Sequence, residues 1–269
     1  MEAVILEKDA ATGVAKIILN RPEKRNAMNA QLVEDVMSAL EEIRTDRQIN
    51  AVITKGRGQA YCSGLDLYYL RAQSEGPPAD WDKFSPTAIM FEAIRNFPKV
   101  TIAQVHGYCL GGALALMNSH DLVIASVDAQ IGMPEILRGS FGQMATSTLF
   151  HSGLPMKKAA LIQLLGRNIS GAEADRLGLV SMAVEPGELE DVTLKLAQEI
   201  ASRHPGVLSS AKIAVQMGRN LSLPDAMRLD QLVASRQRLL VDPLGKVEEY
   251  LQSQKGGPNV TYRRSDSES

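Results

Sequence analysis

The sequence predicts an α/β chain built on a mostly parallel sheet and followed by a helical region. Short β-type runs at residues 51–54, 100–105 and 121–125 alternate with helical periods at 87–96 and 112–119, the order that links parallel strands through helical crossovers. Beyond about residue 185 the β signal stops, and helical periods follow at 189–202, 207–217, 225–240 and 246–254. With 269 residues, 45% hydrophobic and 22% charged, the chain can bury a full core in one large domain with a helical appendage.

Apolar stretches at 3–6 and 14–19 flank the turn-like Asp9-Ala-Ala-Thr-Gly13 and predict an opening hairpin. Asn29 can cap the next helix, because Leu32, Val33, Val36, Met37, Leu40 and Ile43 then share one face. Residues 72–84 hold Gly76-Pro77-Pro78 and the single Trp81. That is the composition of a surface loop, and a substrate-covering segment is expected there. Pro224 suits a first helical turn, and Gly256-Gly257-Pro258 ends the last helix before a polar tail. The expected organisation is an α/β core over 1–185, a helical region over 186–255 and a disordered tail over 256–269.

Lysine and arginine number 29 against 31 aspartates and glutamates, a net charge of −2. No broad basic field exists to hold nucleic acid or an anionic membrane, so a phosphate on a ligand must be met locally. Cys62 and Cys109 are the only cysteines and no Cys-x-x-Cys spacing occurs, which predicts a cytoplasmic protein with neither a disulfide framework nor a zinc site. The first 19 residues carry acids and no long apolar run, and nowhere do about eighteen apolar residues stand together. Neither secretion nor membrane spanning is expected.

Two glycine-rich loops carry the chemistry. Gly56-Arg-Gly-Gln-Ala-Tyr-Cys-Ser-Gly64-Leu65-Asp66-Leu67 follows the strand at 51–54, and Val105-His-Gly-Tyr-Cys-Leu-Gly111-Gly112-Ala113 follows the strand at 100–105 and opens into a helix. The N–H groups of the second loop then lie at the positive end of a helix dipole, and both loops converge at the carboxyl edge of the sheet. One glycine turn between strand and helix is commonly only a turn; two together are informative. Neither loop matches G-x-x-x-x-G-K-[ST] or G-x-G-x-x-G, so nucleotide hydrolysis and nicotinamide chemistry have no support.

Tyr61-Cys-Ser-Gly-Leu-Asp66 and His106-Gly-Tyr-Cys-Leu-Gly-Gly112 resemble the two oxyanion-hole motifs of the crotonase superfamily, the enoyl-CoA hydratase/isomerase family. Leu19-Asn-Arg-Pro-Glu-Lys-Arg-Asn-Ala-Met-Asn29 is similar to that family's opening loop, and Pro134-Glu-Ile-Leu-Arg-Gly139 to its acid/base segment. The stretch at 166–180 is similar to its following helix-turn, and the matches run in order from about residue 4 to residue 255. The resemblance implies the crotonase (ClpP/crotonase-like) fold, in which repeated ββα units form the sheet core and a C-terminal helical region forms trimers. It implies an acyl-CoA thioester substrate, with coenzyme A as part of that substrate and no separate cofactor, and a homotrimer or dimer of trimers.

By the same resemblance the thioester oxygen rests on the backbone N–H groups of Leu65 and Gly112, and Gly64, Asp66, Leu67 and Gly111 beside them are expected to contact the coenzyme A ligand. Lys24, Arg25 and Ala27 of the opening loop, with Lys255 near the C-terminal helix, fall where the family contacts coenzyme A. Removing a proton α to a thioester, or adding a nucleophile at its β-carbon, loads negative charge onto that oxygen. Each preorganised donor is then worth roughly 3 to 4 kcal/mol.

Glu135 is the expected general acid/base. A carboxyl beside an apolar thioester pocket has a raised pKa and can shuttle one proton, a contribution of roughly 10²- to 10⁴-fold; without the resemblance it reads as a surface or capping glutamate. Hydratases of the family face the substrate with two carboxylates, and the first of those places holds Ala115 here. One carboxylate above an enolate plane can take a proton from one carbon and return it to another, as in the family's isomerases. Other members with one glutamate hydrate, or cleave carbon–carbon bonds after hydrating. Ala113 also replaces a frequent third glycine, and Ser140-Phe-Gly-Gln-Met stands where a Pro-Gly-containing turn is usual.

Other conspicuous residues read as structural. Gln143 is expected to satisfy backbone amides in a loop, the alternative being to orient a water or a polar substrate group. Tyr68 and Tyr69 are expected to pack, the alternative being to line the acyl tunnel, and Cys62 and Cys109 are expected to be small buried hydrophobes. His106 and His120 read as hydrogen-bonded core or helix-end residues. The leading functional reading is enoyl-CoA hydration or isomerisation through Glu135. The alternatives are hydratase-lyase, carbon–carbon hydrolase or decarboxylase chemistry on a CoA thioester, and a non-catalytic CoA- or RNA-binding member of the family. Against the last stand the intact glycine loops and the absence of a basic face.

Overall fold

The computed structural model describes residues 2–74, 83–240 and 251. Trp81, Lys255, the tail and all but Leu251 of the helical period at 246–254 lie outside the described residues.

β1 (Val4–Asp9) and β2 (Val14–Leu19) form the antiparallel hairpin, in register from Val4 with Leu19 to Asp9 with Val14. α1 (Ala30–Thr45) follows, and Asn29 caps it by accepting a 3.0 Å hydrogen bond from the Leu32 N–H. Its inward face holds because Leu32, Val36, Leu40 and Ile43 are each at most 2% exposed, and each such side chain contributes roughly 1.5 to 3 kcal/mol. β3 (Ala51–Gly56) leads through the first glycine loop to α2 (Leu67–Ser74), and α3 (Pro86–Arg95) precedes β4 (Val100–Val105). Next come β5 (Tyr108–Leu110), α4 (Gly112–Asn118), β6 (Leu122–Ser126) and β7 (Gln130–Gly132). A 3-10 turn (Pro134–Arg138) then leads to α5 (Gln143–Phe150), α6 (Met156–Leu165), β8 (Ile169–Ser170), α7 (Gly171–Leu177) and β9 (Met182–Val184).

The main sheet has the order β1-β2-β3-β4-β6-β9, and every pair except the hairpin is parallel. Its central strands are buried on both faces, as parallel strands require. Ala51, Ile53, Ile102 and Ile124 point to one side, where α8 (Leu189–Ala201) supplies Leu189, Ala197 and Ala201. Val52, Ala103, Val105, Val123 and Ala125 point to the other, against α1, α3 and α4. β1-β2-α1, β4-β5-α4 and β6-β7-α5 repeat the ββα order. A second sheet, β5-β7-β8, escapes a reading of the sequence because strands of two or three residues are too short for alternation to show.

The compact unit that holds the sheet ends at Ser209 rather than near residue 185. The physical reason is α8, which covers one sheet face instead of standing apart. Glu190 in its first turn accepts hydrogen bonds from Lys16 of β2 at 2.8 Å, from Gln104 of β4 at 2.9 Å and from Lys55 of β3. Burial pushes this carboxyl up, and the three hydrogen bonds more than reverse it, setting its pKa at about 2. Helical period alone shows that α8 is amphipathic but not which surface it covers. The second unit, 210–269, holds the end of α9 (Pro205–Gly218) and α10 (Leu223–Leu240). Among the described residues no helix is long and apolar enough to cross a membrane.

Candidate active site

The two glycine loops are stitched together before they reach the site. Tyr61 N–H donates to the His106 carbonyl at 2.9 Å, Cys62 N–H to Tyr108 at 3.0 Å, and Leu110 N–H to Cys62 at 3.2 Å, so the Cys62 and Cys109 backbones form a parallel bridge. Farther along, Met28 N–H donates to the Gly64 carbonyl at 2.8 Å and Asp66 N–H to the Met28 carbonyl at 2.9 Å. This bridge uses the groups on either side of Leu65, so the N–H of Leu65 itself turns away from Met28.

It turns toward the second loop. Gly111 donates its N–H to the Gly132 carbonyl at 2.8 Å and has φ 58° and ψ −123°, a conformation closed to residues with a Cβ. Gly112 is therefore the first residue of α4, and the first N–H groups of a helix have no acceptor within it. A Cβ on Gly64, whose φ is +100°, would fall 2.7 Å from the Leu110 carbonyl oxygen and 3.4 Å from the Gly112 nitrogen; one on Gly112 would fall 3.6 Å from the Leu65 nitrogen. The two amides thus border one small space. Among the described residues neither has a protein acceptor.

Glu135 stands on the same space. Its 3-10 turn is closed by Gly139 at φ 73° and by the Ser140 N–H, which donates to the Glu135 carbonyl at 3.1 Å. A Cβ on Gly111 would lie 2.2 Å from Glu135 Oε1 and 2.9 Å from its Cδ, so the missing side chain at 111 is the room the carboxyl occupies. Oε2 is buried without a hydrogen-bond partner. Burial raises the Glu135 pKa above the ordinary carboxyl value, against smaller lowering effects from its own backbone N–H and from Arg138. Ala115, at the first acid's place in the resemblance, is fully buried in α4 and does not line the pocket.

The pocket has a volume of about 120 Å³ and is lined by Leu65, Leu67, Leu70, Gly111, Gly112 and Glu135, among others. It adjoins a roomier groove of about 480 Å³ along α3 and α5, with Gln143 and Met144 on both. Gln143 opens α5 and lines the pocket instead of tying loop amides, and Tyr68 is 78% exposed instead of packed. The pocket also takes in Arg138, Ser140 and Phe141. Only the Pro-Glu-x-x-Arg spacing could have pointed to the first, because side chains three apart eclipse on a 3-10 turn.

Gly64 lines the pocket too, whereas Lys24, Arg25, Ala27 and Asp66 fall outside it. Lys24 lies 5.9 Å over the Tyr68 ring, in a recess that also includes Arg21, Asp66 and Tyr69, and the Arg25 guanidinium lies 5.0 Å over Tyr108. Ala27 already uses both backbone groups, donating to the Lys24 carbonyl at 3.1 Å and accepting from Arg21. Asp66 pairs with Arg21 at 3.0 Å and accepts from the Tyr68 N–H at 3.0 Å. Burial pushes its carboxyl up, and these bonds outweigh it, so its pKa lies below the ordinary value.

The cysteines and histidines sit as structural groups. Cys62 and Cys109 are free and buried, and burial pushes the Cys62 thiol up to about 12. His120 is held by the Leu116 carbonyl at 2.8 Å and the Thr54 hydroxyl at 2.9 Å, and His106 by the Gly58 carbonyl at 3.0 Å.

Comparison with known proteins gives the family and the fold. The enoyl-CoA hydratase/isomerase family model matches residues 9–238. A probable enoyl-CoA hydratase of Rhizobium meliloti is 33% identical over 232 residues, covering 86% of this chain and 87% of that protein. A hydroxycinnamoyl-CoA hydratase-lyase of Pseudomonas fluorescens is 32% identical over 213 residues, covering 78% and 77%. In fold, the chain is similar to the crystal structure of an enoyl-CoA hydratase from Mycobacterium smegmatis, with a TM-score of 0.86 at 24% identity over 94% of this chain and 97% of that one.

Proposed function

Because this chain belongs to the enoyl-CoA hydratase/isomerase family, within the crotonase superfamily, we propose that it transforms an enoyl-CoA thioester through an enolate held on Leu65 and Gly112, with Glu135 moving the proton. One observation carries the reading: two amides without an acceptor among the described residues and a carboxyl whose Oε2 is buried without a hydrogen-bond partner border a single pocket. Substrate oxygen fits such donors because charge appears on it only as the reaction proceeds, so the stabilisation favours the transition state over the bound thioester. Glu135 is suited to exchange a proton because burial brings its pKa closer to neutrality than that of an exposed glutamate.

With Ala115 in place of a second acid, Glu135 serves both halves of any proton transfer. In isomerisation it removes a proton from one carbon and returns it to another. In hydration it orients water toward the β-carbon and protonates the α-carbon of the enolate. A second reading, cleavage of a carbon–carbon bond after hydration, draws support from the likeness to the hydroxycinnamoyl-CoA hydratase-lyase. Turnover of enoyl-CoA thioesters in heavy water, followed by mass spectrometry, separates these outcomes. Deuterium without added water indicates isomerisation, added water indicates hydration, and a shortened acyl chain indicates cleavage; an unchanged panel sinks the proposal.

Lys24 and Arg25 supply exposed cations for the coenzyme A phosphates beside the Arg21 recess. The free, buried cysteines support the cytoplasm as its compartment. Within the second unit, Val215, Leu223, Met227 and Leu232 are each at least 60% exposed, apolar surface suited to a homotrimer or dimer of trimers. Light scattering should return a mass three or six times 29.2 kDa; a monomer would refute this assembly.

A further inference from the structure

Among the described residues the pocket has two charged lining residues, Glu135 and Arg138. They stand three apart on a 3-10 turn, whose period puts both side chains on one side. Glu135 is engaged in proton transfer on the reading above, which leaves the guanidinium. Arg138 is exposed and lines the pocket, and its guanidinium has neither an ion pair nor a hydrogen bond among the described residues. A guanidinium keeps its charge at any physiological pH, and its planar fork matches a carboxylate with two parallel hydrogen bonds.

The phosphates of coenzyme A are the competing source of an anion, and the arrangement around α2 argues against them. Leu67 and Leu70 of α2 line the pocket, whereas Tyr68 and Tyr69 border the recess with Arg21 and Lys24, and the two concavities share no residue. Positions 67 and 70 lie on one helix face and 68 and 69 on the others. The cations suited to the phosphates are therefore on a different side of α2 from Arg138.

We infer that the acyl group taken by this pocket carries a second anionic group, a carboxylate, which Arg138 holds near the reacting carbons. The inference rests on the acyl-CoA reading and names the substrate class for it. Pairing would also offset the positive charge that now opposes the effect of burial on the Glu135 pKa.

The test compares glutaryl-CoA, which is saturated and inert to hydration and isomerisation, with its monomethyl ester by titration calorimetry. Turnover of glutaconyl-CoA and its methyl ester is measured alongside. Glutaryl-CoA should bind about tenfold tighter or more than the ester, the effect of a charge-assisted pair. Arg138→Leu should abolish that preference without changing the Kd of the ester, and Arg138→Lys should retain part of it. Equal binding by the parent protein, or a preference that survives Arg138→Leu, overturns the inference. Arg138→Leu weakening both compounds and free coenzyme A equally assigns the guanidinium to the phosphates and overturns it too. An Arg138-dependent binding preference without turnover of glutaconyl-CoA or of any other enoyl-CoA thioester in the panel supports the inference and removes the reaction reading. Turnover of both unsaturated compounds without preference does the reverse.

Discussion

Glu135→Gln should lower kcat by about 10²- to 10⁴-fold, the usual worth of a positioned proton-transfer group, while acyl-CoA binding measured by calorimetry stays within about threefold. The amide matches the carboxyl in shape, fills the room beside Gly111 and leaves the Leu65 and Gly112 N–H groups in place, so only the proton is lost. Stability should move the other way. The folded-state pKa of Glu135 is raised above the ordinary 4.5 by burial, so the folded state prefers the protonated form. The native protein then loses stability as pH rises from 4.5 through that raised value. Glu135→Gln should consequently unfold at a higher temperature than the parent at neutral pH, and the gap should close below pH 4.5. An active variant would remove Glu135 from the mechanism, and a variant less stable at neutral pH would contradict the burial of its charge.

Gly111→Ala should cost at least about 10²-fold in kcat, comparable with removing an oxyanion donor, and its effect should exceed that of any other single glycine-to-alanine change outside the two loops. Two separate penalties meet at this position. The backbone has φ 58° and ψ −123°, which a Cβ makes unfavourable by roughly 1 to 3 kcal/mol. The methyl would also lie 2.2 Å from Glu135 Oε1, forcing out either the carboxyl or the chain that presents the Gly112 amide. Gly178→Ala is the control for a positive-φ glycine remote from the site, because Gly178 has φ 79° and ψ 23° and nothing lies within 4 Å of its Cβ position. That variant should lose stability on the order of 1 kcal/mol and retain full turnover in a steady-state assay. Equal loss of activity in both would mean that Gly111→Ala acts through general destabilisation and not through the collision with Glu135.

Several elements were legible in the chain because their signals are local. The period of α1 and its cap at Asn29 lie within sixteen consecutive residues and a neighbour, and the parallel strands announce themselves by apolar runs between helical periods. The two glycine loops and Glu135 were legible through resemblance, since neither a turn glycine nor a glutamate states its role by itself. Less was readable around the acyl group. Gln143 and Phe141 come to the pocket from a helix start and the segment before it, and no periodicity reports which way such residues face.

What the sequence by itself determined is the identity and order of the parts: strands that alternate with helices, loops able to present bare amides, one acid in the Pro-Glu segment and alanine at position 115. Tertiary structure alone decided their meeting. The Leu65 and Gly112 amides share a space only because hydrogen bonds between residues 61–62 and 106–110 bind two loops far apart in the chain. The carboxyl of Glu135 reaches that space only because Gly111 leaves it empty. The physical reason is that local preference acts over a few residues, whereas burial, pKa and donor geometry arise from groups brought together across the fold.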